Sequence, residues 1–465
     1  MDDIRNVSVF PLAACSLGLL LHHNRYLRRL HLPAIIFDGN DEASGQCLDG
    51  LSRLHYLQHL TLQNSAPSQR TTFSLLRVSL ALPRLKELIL DFVAEWEEDI
   101  HQRIPELDMA IAEALKVRSS ALSIATKIPA LQLPESEWDM NPLVFPLLES
   151  GLLDLKSCTI PRFCDQDSPD RIERTIRERC PNLRHLKCLR FWRPSGHAQD
   201  MCTFFRGCSN LETFRGNAEF CDRGQTGDVT RNIVSTLVQC HSSTLEEIEV
   251  LKCSQFSSNA QRHSLSECKQ LKRFWIVQHE NGGGGVTFED LVEAQWACTQ
   301  LKELGLAMSR YTEREEGLVE SIKDVEEDER RPGVTKQKQT MAVWIVKRLY
   351  VQIGRLDHLG VLFLGADKSW GDLTGFEWDL TPSKGGLSEL AGLEDLADFE
   401  MRTDLWSGMG NAEVEFMHEK WPRLRKITFG TWSTTFRKLM MEPHCLWLQA
   451  RRPQLQFGWT NPANE

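Results

Sequence analysis

The stretch that decides the fold is LQHLTL, residues 57–62, because its pattern L-x-x-L-x-L returns along most of the chain. Eleven copies can be read when Ile, Val, Phe, Met, Cys or Gly replaces one of the later leucines. They begin at Leu27, Leu57, Leu85, Leu183, Leu211, Leu245, Leu271, Leu301, Leu359, Leu396 and Leu424. Neighbouring copies are usually 26 to 34 residues apart. The chain is therefore built from repeats.

The motif itself predicts a short strand, because its last two apolar residues alternate with polar ones. The remaining length of each repeat accommodates one helix and two turns, which is typical of long leucine-rich repeats. A single unit cannot bury its apolar edge, so the units must stack. The sequence predicts an α/β leucine-rich-repeat solenoid of about 13 irregular repeats. We expect a right-handed arc with parallel strands on the concave face and helices on the convex face.

Cysteines precede several of the predicted strands. Cys180, Cys208, Cys268 and Cys298 stand three residues before a leading leucine, and Cys240 stands five before Leu245. We interpret them as buried structural thiols in turns that have room for a small apolar side chain. Metal or disulfide chemistry is the alternative, but the sequence has no C-x-x-C pair and no close His/Cys cluster.

These Cys-Pro-Asn-Leu and Cys-x-x-Leu entries resemble the cysteine-containing leucine-rich repeats of F-box proteins, within the ribonuclease-inhibitor-like superfamily. The stretches Leu349–Leu364 and Leu387–Trp421 resemble the divergent F-box/leucine-rich-repeat families of early-branching fungi. The resemblance covers the chain from about residue 23 but does not include an F-box. It implies substrate recognition for an SCF-type ubiquitin ligase. It implies a Skp-type adaptor as partner only if an F-box is present upstream.

The predicted organisation has four parts. Residues 1–22 are expected to be an N-terminal cap or a remnant of an F-box junction, because their apolar stretch lacks the basic start and cleavage site of a signal peptide. Residues 23–311 are leucine-rich repeats. Residues 312–340 are expected to be a disordered acidic insertion, since 313–331 carry nine acids and four bases. Residues 341–465 are further repeats with a C-terminal cap.

The repeat signal fades between the copies at Leu85 and Leu183. Two weak repeats fit this gap, with possible strands at Leu122–Ile124 and Leu153–Leu155. Tryptophan is concentrated from Trp275 onward, where ten of the thirteen lie. We interpret most of these indoles as core or capping residues, with an aromatic binding wall as the alternative.

Composition and motifs limit the function. A formal net charge of -10 argues against a nucleic-acid surface, which needs a basic face. No apolar stretch is long enough to span a membrane, so we expect a cytoplasmic or nuclear protein. Neither G-x-S-x-G nor H-E-x-x-H occurs, and the glycine run 282–285 lacks a following phosphate-binding pattern. The sequence therefore indicates no catalytic, cofactor-binding or metal-binding residues.

What the repeats offer is a surface for a protein partner. Residues beside and between the last two apolar positions of each strand point out of the concave face. The candidate protein-binding residues are Arg29, His31, His59, His185, Lys187, Arg215, Glu249, Arg273, Trp275, Glu303, Phe363, Glu400 and Arg402. Their charges alternate in blocks, which favours a protein partner with complementary patches. Trp275 is either an interface anchor or a side chain packed on a neighbouring repeat.

The sequence thus predicts a non-enzymatic protein-interaction module. The resemblance adds the ubiquitin-ligase role, whereas the repeats alone imply only binding. A free-standing scaffold without a ligase role is the first alternative. An enzyme whose site is formed by the loops is the second.

Overall fold

A computed structural model describes residues 6–8, 14–33, 42–63, 69–91, 109, 111–112, 128–132, 153–160, 169–188, 197–217, 227–251, 258–277, 294–308, 347–366, 386–402, 410–429 and 442–459. Within these residues the chain forms fifteen β-strands. They are β1 (Asn6–Ser8), β2 (Arg29–Pro33), β3 (His59–Gln63), β4 (Glu87–Asp91), β5 (Ile128–Gln132), β6 (Leu153–Ile160), β7 (His185–Cys188), β8 (Thr213–Asn217), β9 (Glu247–Leu251), β10 (Arg273–Val277), β11 (Glu303–Met308), β12 (Val361–Ala366), β13 (Asp398–Arg402), β14 (Lys426–Phe429) and β15 (Gln456–Trp459).

Helices connect many of these strands. They are α1 (Ala14–His23), α2 (Glu42–Ser52), α3 (Gln69–Ala81), α4 (Pro169–Arg179), α5 (His197–Gly207), α6 (Gly227–His241), α7 (Ser258–Glu267), α8 (Asn411–Lys420) and α9 (Pro443–Arg451). Residues 347–353 are also helical, and Leu387–Leu390 form a 3-10 helix. Polar side chains fix some of the ends: Asn24 Nδ2 donates to the Leu20 carbonyl oxygen at 2.7 Å, where α1 ends.

The chain divides into two compact units, Met1–Phe214 and Arg215–Glu465. In the first unit, strands β1 to β7 pair in parallel and in chain order. Leu30, Leu60 and Leu88 align in one row, and all three are buried. Helix α1 packs on α2, α2 on α3, and α4 on α5. Repeats whose helices are described here therefore contact their neighbours through both strand and helix.

The second unit repeats this arrangement, with β9 to β15 paired in parallel and in chain order. Its central core row consists of Ile248, Phe274, Leu304, Leu362, Phe399 and Ile427, each at most 1% exposed. A second buried row, two residues further along, includes Val250, Ile276, Leu306, Leu364 and Met401. The alternation of the motif thus becomes two apolar rows on one side of the sheet. The chain is a leucine-rich-repeat solenoid.

A tight turn leads into many of these strands. The amide of Leu183 donates to the carbonyl oxygen of Cys180 at 3.1 Å, and Leu301 donates to Cys298 at 3.2 Å. The four cysteines predicted at this position are buried. Other repeats bury larger residues there: Leu54, Leu82, Leu356, Leu393 and Trp421. The buried thiols are confirmed at these four turns, while the same position in other repeats also accepts larger apolar side chains.

Cys240 differs from the other four because it is exposed. The turn after α6 contains one extra residue, so that the Leu245 amide reaches the His241 carbonyl oxygen, four residues back, at 2.9 Å. His241 is 1% exposed and occupies the buried position of this turn. The predicted structural role of Cys240 was therefore wrong.

Two strands, β5 and β6, occupy the gap between the copies at Leu85 and Leu183. The predicted strand at 122–124 lies outside the described residues. The strand that pairs with β4 is β5, and its register aligns Ala130 with Glu87. The strand of that repeat therefore comes later in the chain than the predicted period places it.

Strand β6 begins at Leu153, which the sequence predicted as the start of a strand. Its register with β7 aligns Ser157 with His185, so Leu155 takes the leading position of the motif. Leu155 is fully buried. The correct phase is thus two residues later than the predicted one.

The segment 1–22, predicted as a cap or junction remnant, contains β1 and most of α1. Val7 aligns with Leu30 of β2, and Leu17 and Leu21 of α1 are fully buried. The predicted insertion at 312–340 lies outside the described residues. In the part of the chain that the structure describes, no helix is long and apolar enough to cross a membrane.

Candidate protein-binding face of the sheet

Strand pairing aligns the non-core positions of the strands in two rows, which we call the outward rows. In the first unit, the first outward row is Arg29, His59, Glu87, Ala130, Ser157 and His185, and the second is His31, Thr61, Ile89, Gln132, Thr159 and Lys187. In the second unit, the first row is Glu247, Arg273, Glu303, Val361, Asp398, Lys426 and Gln456, and the second is Glu249, Trp275, Gly305, Phe363, Glu400, Thr428 and Gly458.

The candidates of the first unit lie in these rows. Arg29, His185 and Lys187 are exposed, whereas His31 and His59 are half-buried. His59 Nδ1 lies 2.8 Å from Glu87 Oε2 on the next strand. His185 Nδ1 lies 3.1 Å from the hydroxyl oxygen of Thr213. His59 and His185 therefore each interact with the neighbouring repeat.

The second unit carries a denser set of charges on β8 to β11. Arg215 Nε donates to Glu247 Oε1 at 2.8 Å and lies 3.5 Å from Glu249 Oε2. Arg273 Nη2 lies 3.5 Å from the same Glu249 oxygen, and Arg273 Nη1 lies 2.9 Å from Glu303 Oε2. Glu249 thus bridges two arginines from different strands. We call these five residues the ion-pair network.

Beside this network, two aromatic rings meet across a glycine. The register aligns Trp275, Gly305 and Phe363 on three successive strands. A Cβ atom added to Gly305 would lie 2.7 Å from Trp275 Cδ2, closer than atoms approach in folded proteins. The missing side chain lets the indole lie over β11 and reach Phe363, with ring centroids 5.6 Å apart. Arg273 Cζ also lies over the indole, 5.4 Å from its centroid.

This arrangement shows where the remaining candidates lie. Phe363 occupies an outward position, but its side chain is only 2% exposed. Trp275 is half-buried. Glu400 follows Phe363 in the second outward row and is half-buried. Arg402 aligns with Gly365 one step further along the strand, and its side-chain environment is outside the described residues. Trp275 therefore packs on the next repeats and stays partly accessible, and its role as an interface anchor stays a prediction.

Glu247 also occupies the first outward row and pairs with Arg215. Gly305 was absent from the predicted set because glycine carries no chemistry. The signal was present in the sequence: Gly305 lies between Leu304 and Leu306 in a strand, and a strand glycine often marks a close approach of another group.

Ion pairing dominates the electrostatics of the network. The hydrogen bond that Arg215 donates to Glu247 raises the pKa of Arg215, and the charges of Glu247, Glu249 and Glu303 act in the same direction. Among the described residues, no group of three or more His, Cys, Asp or Glu side chains could hold a metal ion.

Comparisons with known proteins give only distant likenesses. No protein-family model matches the sequence, and no curated protein matches it. An internalin from Listeria monocytogenes aligns with a TM-score of 0.42 and 9% identity, covering 98% of this chain and 96% of that chain. The yeast Rad7 and Elc1 complex gives a TM-score of 0.36 and 10% identity, covering 96% of this chain and 88% of that chain. LegL7, a leucine-rich-repeat protein from Legionella pneumophila, gives 0.27 and 10%, covering 62% and 90%. Values this low carry no argument about function.

Proposed function

We propose that this chain is a non-enzymatic protein-interaction module of the cytoplasm or nucleus, and that it recognises substrates for an SCF-type ubiquitin ligase. Its partner docks on the outward rows of β9 to β13. The observation that carries the proposal is Trp275, a half-exposed indole that lies over Gly305 and contacts both Arg273 and Phe363.

Trp275 has the properties of an interface anchor. Tryptophan and arginine are enriched among the residues that dominate binding energy at protein interfaces. The indole here is already fixed by Phe363 on one side and Gly305 beneath it, so little rotamer freedom remains to be lost when a partner binds. A preorganised aromatic edge beside charged groups therefore favours specific protein recognition.

The ion-pair network supports a protein partner with mixed charge. It contains three carboxylates and two guanidinium groups, all partly accessible: the side chains of Glu249 and Glu303 are 16% and 37% exposed, and that of Arg273 is 32% exposed. A polyanion would meet a net negative surface here. A protein with alternating charges can form ion pairs with the carboxylates and guanidinium groups of the network. Proteins with a different charge pattern would meet like charges and be excluded.

The ligase role has a separate basis, namely the resemblance of the cysteine-containing repeats to those of F-box proteins. It is tested by co-purification of the tagged protein with a Skp-type adaptor, using both the 465-residue chain and the product of the complete transcript. Retrieval of the adaptor by either product supports the ligase role. If neither retrieves it, the free-standing scaffold replaces the ligase subunit.

The docking surface is tested by the double variant Trp275→Ala/Arg273→Glu. Truncation of an aromatic anchor typically costs about 2 kcal/mol or more, roughly thirtyfold in affinity, and the reversed charge adds repulsion towards acidic groups of the partner that would face Arg273. We expect partner proteins recovered by quantitative cross-linking and mass spectrometry to be lost from the variant, while circular dichroism stays unchanged.

The chain provides a matched control on a helix. Trp447 and Arg451 of α9 form a similar pair, with Arg451 Cζ 4.7 Å from the indole centroid. Trp447→Ala/Arg451→Glu applies the same chemical change away from the outward rows and should leave capture intact. If the control loses the partners and the Trp275 variant keeps them, the sheet is not the docking face.

A further inference from the structure

The turns before β2, β3 and β4 carry an exposed stack of aromatic and basic side chains. Tyr26 and Tyr56 have ring centroids 5.3 Å apart with planes inclined by 39°. Arg84 Cζ lies 4.6 Å from the centroid of the Tyr56 ring. The three residues each stand one position before a leading leucine, so they form a ladder across three successive repeats. We call residues 24–28, 54–58 and 82–86 the turn surface.

The two tyrosine rings of the ladder are exposed to solvent. Tyr26 is 73% exposed and Tyr56 is 40% exposed, and they are two of the five large hydrophobic residues that are exposed in the described part of the chain. The corresponding position in later repeats is polar: Asn182, Asn210, Thr244, Gln270, Gln300, His358, Asp395 and Arg423. The repeat structure therefore does not require tyrosine there. Contiguous exposed aromatic surface commonly marks an interaction site.

The turns that hold the ladder are fixed by backbone hydrogen bonds. The amides of Gln58 and His59 both donate to the Arg28 carbonyl oxygen, at 2.8 and 3.0 Å. The amides of Lys86 and Glu87 donate in the same way to the Gln58 carbonyl oxygen, at 2.8 and 3.0 Å. The spacing of the side chains is thus set before any ligand binds, which lowers the entropy lost on binding.

The charge of the turn surface is entirely positive. Its formal charges are Arg25, Arg28, Arg84 and Lys86, all exposed, and its three segments contain no Asp or Glu. The neighbouring carboxylates pair with other side chains: Asp49 Oδ2 lies 2.7 Å from Arg53 Nη2, and Glu87 Oε2 lies 2.8 Å from His59 Nδ1. The surface therefore presents four cations around two tyrosine rings.

We propose that the turn surface is a second docking site, which binds an acidic peptide segment of a partner protein. Charge complementarity identifies the ligand class, and the tyrosine rings provide apolar contact between the carboxylates. A nucleic acid fits less well, because it is held through many phosphate contacts and the whole chain has a formal net charge of -10. This site is independent of the function proposed for the outward rows.

The experiment uses the full chain and an array of synthetic decapeptides in which glutamate content rises from none to six residues. We expect retention to rise with glutamate content. The best binder, labelled with fluorescein, is then measured by fluorescence anisotropy. Tyr26→Ala/Tyr56→Ala should weaken it at least tenfold, whereas Tyr26→Phe/Tyr56→Phe should retain most of the affinity, because the rings remain. Arg84→Glu/Lys86→Glu should weaken binding and reduce its salt dependence.

Two controls locate the site. Gln270→Ala/Gln300→Ala changes the same position in two later repeats and should leave the peptide affinity unchanged. Trp275→Ala/Arg273→Glu should also leave it unchanged, because the outward rows are a different surface. The proposals for the turn surface and for the outward rows can therefore fail separately. Equal affinity of the tyrosine-to-alanine variant would overturn the proposal. So would the absence of any binding to acidic peptides at about 1 mM. Tighter binding of a twenty-nucleotide oligothymidine than of the acidic peptide would assign the surface to nucleic acid and would also overturn it.

Discussion

Burial controls the chemistry of the thiols that precede the strands. Cys268 and Cys298 are fully buried in equivalent turns of successive repeats. Desolvation raises the pKa of each from 9.0 to about 12, because the thiolate would lose its hydration. At neutral pH both thiols are therefore protonated, apolar and poor nucleophiles.

This shift predicts a loss of stability in alkali. Below about pH 9 both thiols are protonated in the folded and in the unfolded chain, so the stabilisation is fully present. As the pH rises from 9 towards 12, the unfolded chain releases protons that the folded chain retains, and the free energy of unfolding falls. In Cys268→Ala/Cys298→Ala the fall of the urea midpoint between pH 9 and pH 11 should be shallower than in the wild type.

Alkylation gives an independent measurement at the same residues. With iodoacetamide at pH 8, the exposed Cys240 should be modified many times faster than Cys268 and Cys298. Equal rates, measured by mass spectrometry, would mean that the two buried thiols are accessible. An unchanged pH dependence in the double variant would remove them as the source of the alkaline effect.

Burial of single residues was predicted correctly where the alternation of the strand motif determines which face of the sheet they occupy. The strand motif placed Leu304 and Phe274 in the core, because alternation leaves them no other side. It also placed Phe363 on the outward face, yet that ring is buried under its neighbours. Phe363 is buried because Gly305 lets the Trp275 ring reach it across β11. Such a contact over three strands depends on the register between repeats, which sequence spacing alone does not provide.

At the level of elements, the sequence predicted how many strands are present better than it predicted which residues occupy the motif positions in them. The period predicted two repeats between Leu85 and Leu183, and β5 and β6 are there. The phase was wrong because the connection before β5 is longer than an average repeat, and a weak motif gives no signal of an insertion. Cys240 was misplaced for a similar reason: one extra residue in the following turn moved His241 into the core.

In helix α2, replacing glycine by alanine should change the stability in opposite directions at two positions. Gly45 is exposed, and a Cβ atom added to it would meet nothing within 4 Å. Gly45→Ala should therefore stabilise the protein by about 0.5–1 kcal/mol, because alanine is the better helix former. At Gly50 the added atom would lie 3.0 Å from Leu21 Cβ and 3.1 Å from the Gly18 carbonyl oxygen of α1.

Gly50→Ala should consequently destabilise the protein, since the two helices would have to separate. Urea denaturation of both variants compares the two signs within one helix. Stabilisation by both substitutions would show that α1 and α2 are not in close contact at Gly50. Destabilisation by both would show that Gly45 is not an exposed helical residue.

At the scale of the whole molecule, stability in a stack of repeats is the sum of local units and the contacts between neighbours. Within the second unit, strands β9 to β15 pair only with the strands that directly precede or follow them in the chain. A defect in one repeat should therefore weaken its neighbours first. Repeat architecture was predictable from the sequence for this reason, because each motif encodes a local unit.

Leu304→Ala tests this view. The side chain is fully buried at the centre of β11, so truncation should cost roughly 2–5 kcal/mol. Amide hydrogen exchange should show the largest loss of protection in β10, β11 and β12, with a smaller loss in β14 and β15. Leu446→Ala is the control, because Leu446 is 45% exposed and its truncation should have little effect on protection or on the urea midpoint. A uniform loss of protection across β9 to β15 would instead mean that the unit unfolds as a single cooperative block. In that case a partner that docks on β10 would stabilise the distant strands as much as the near ones.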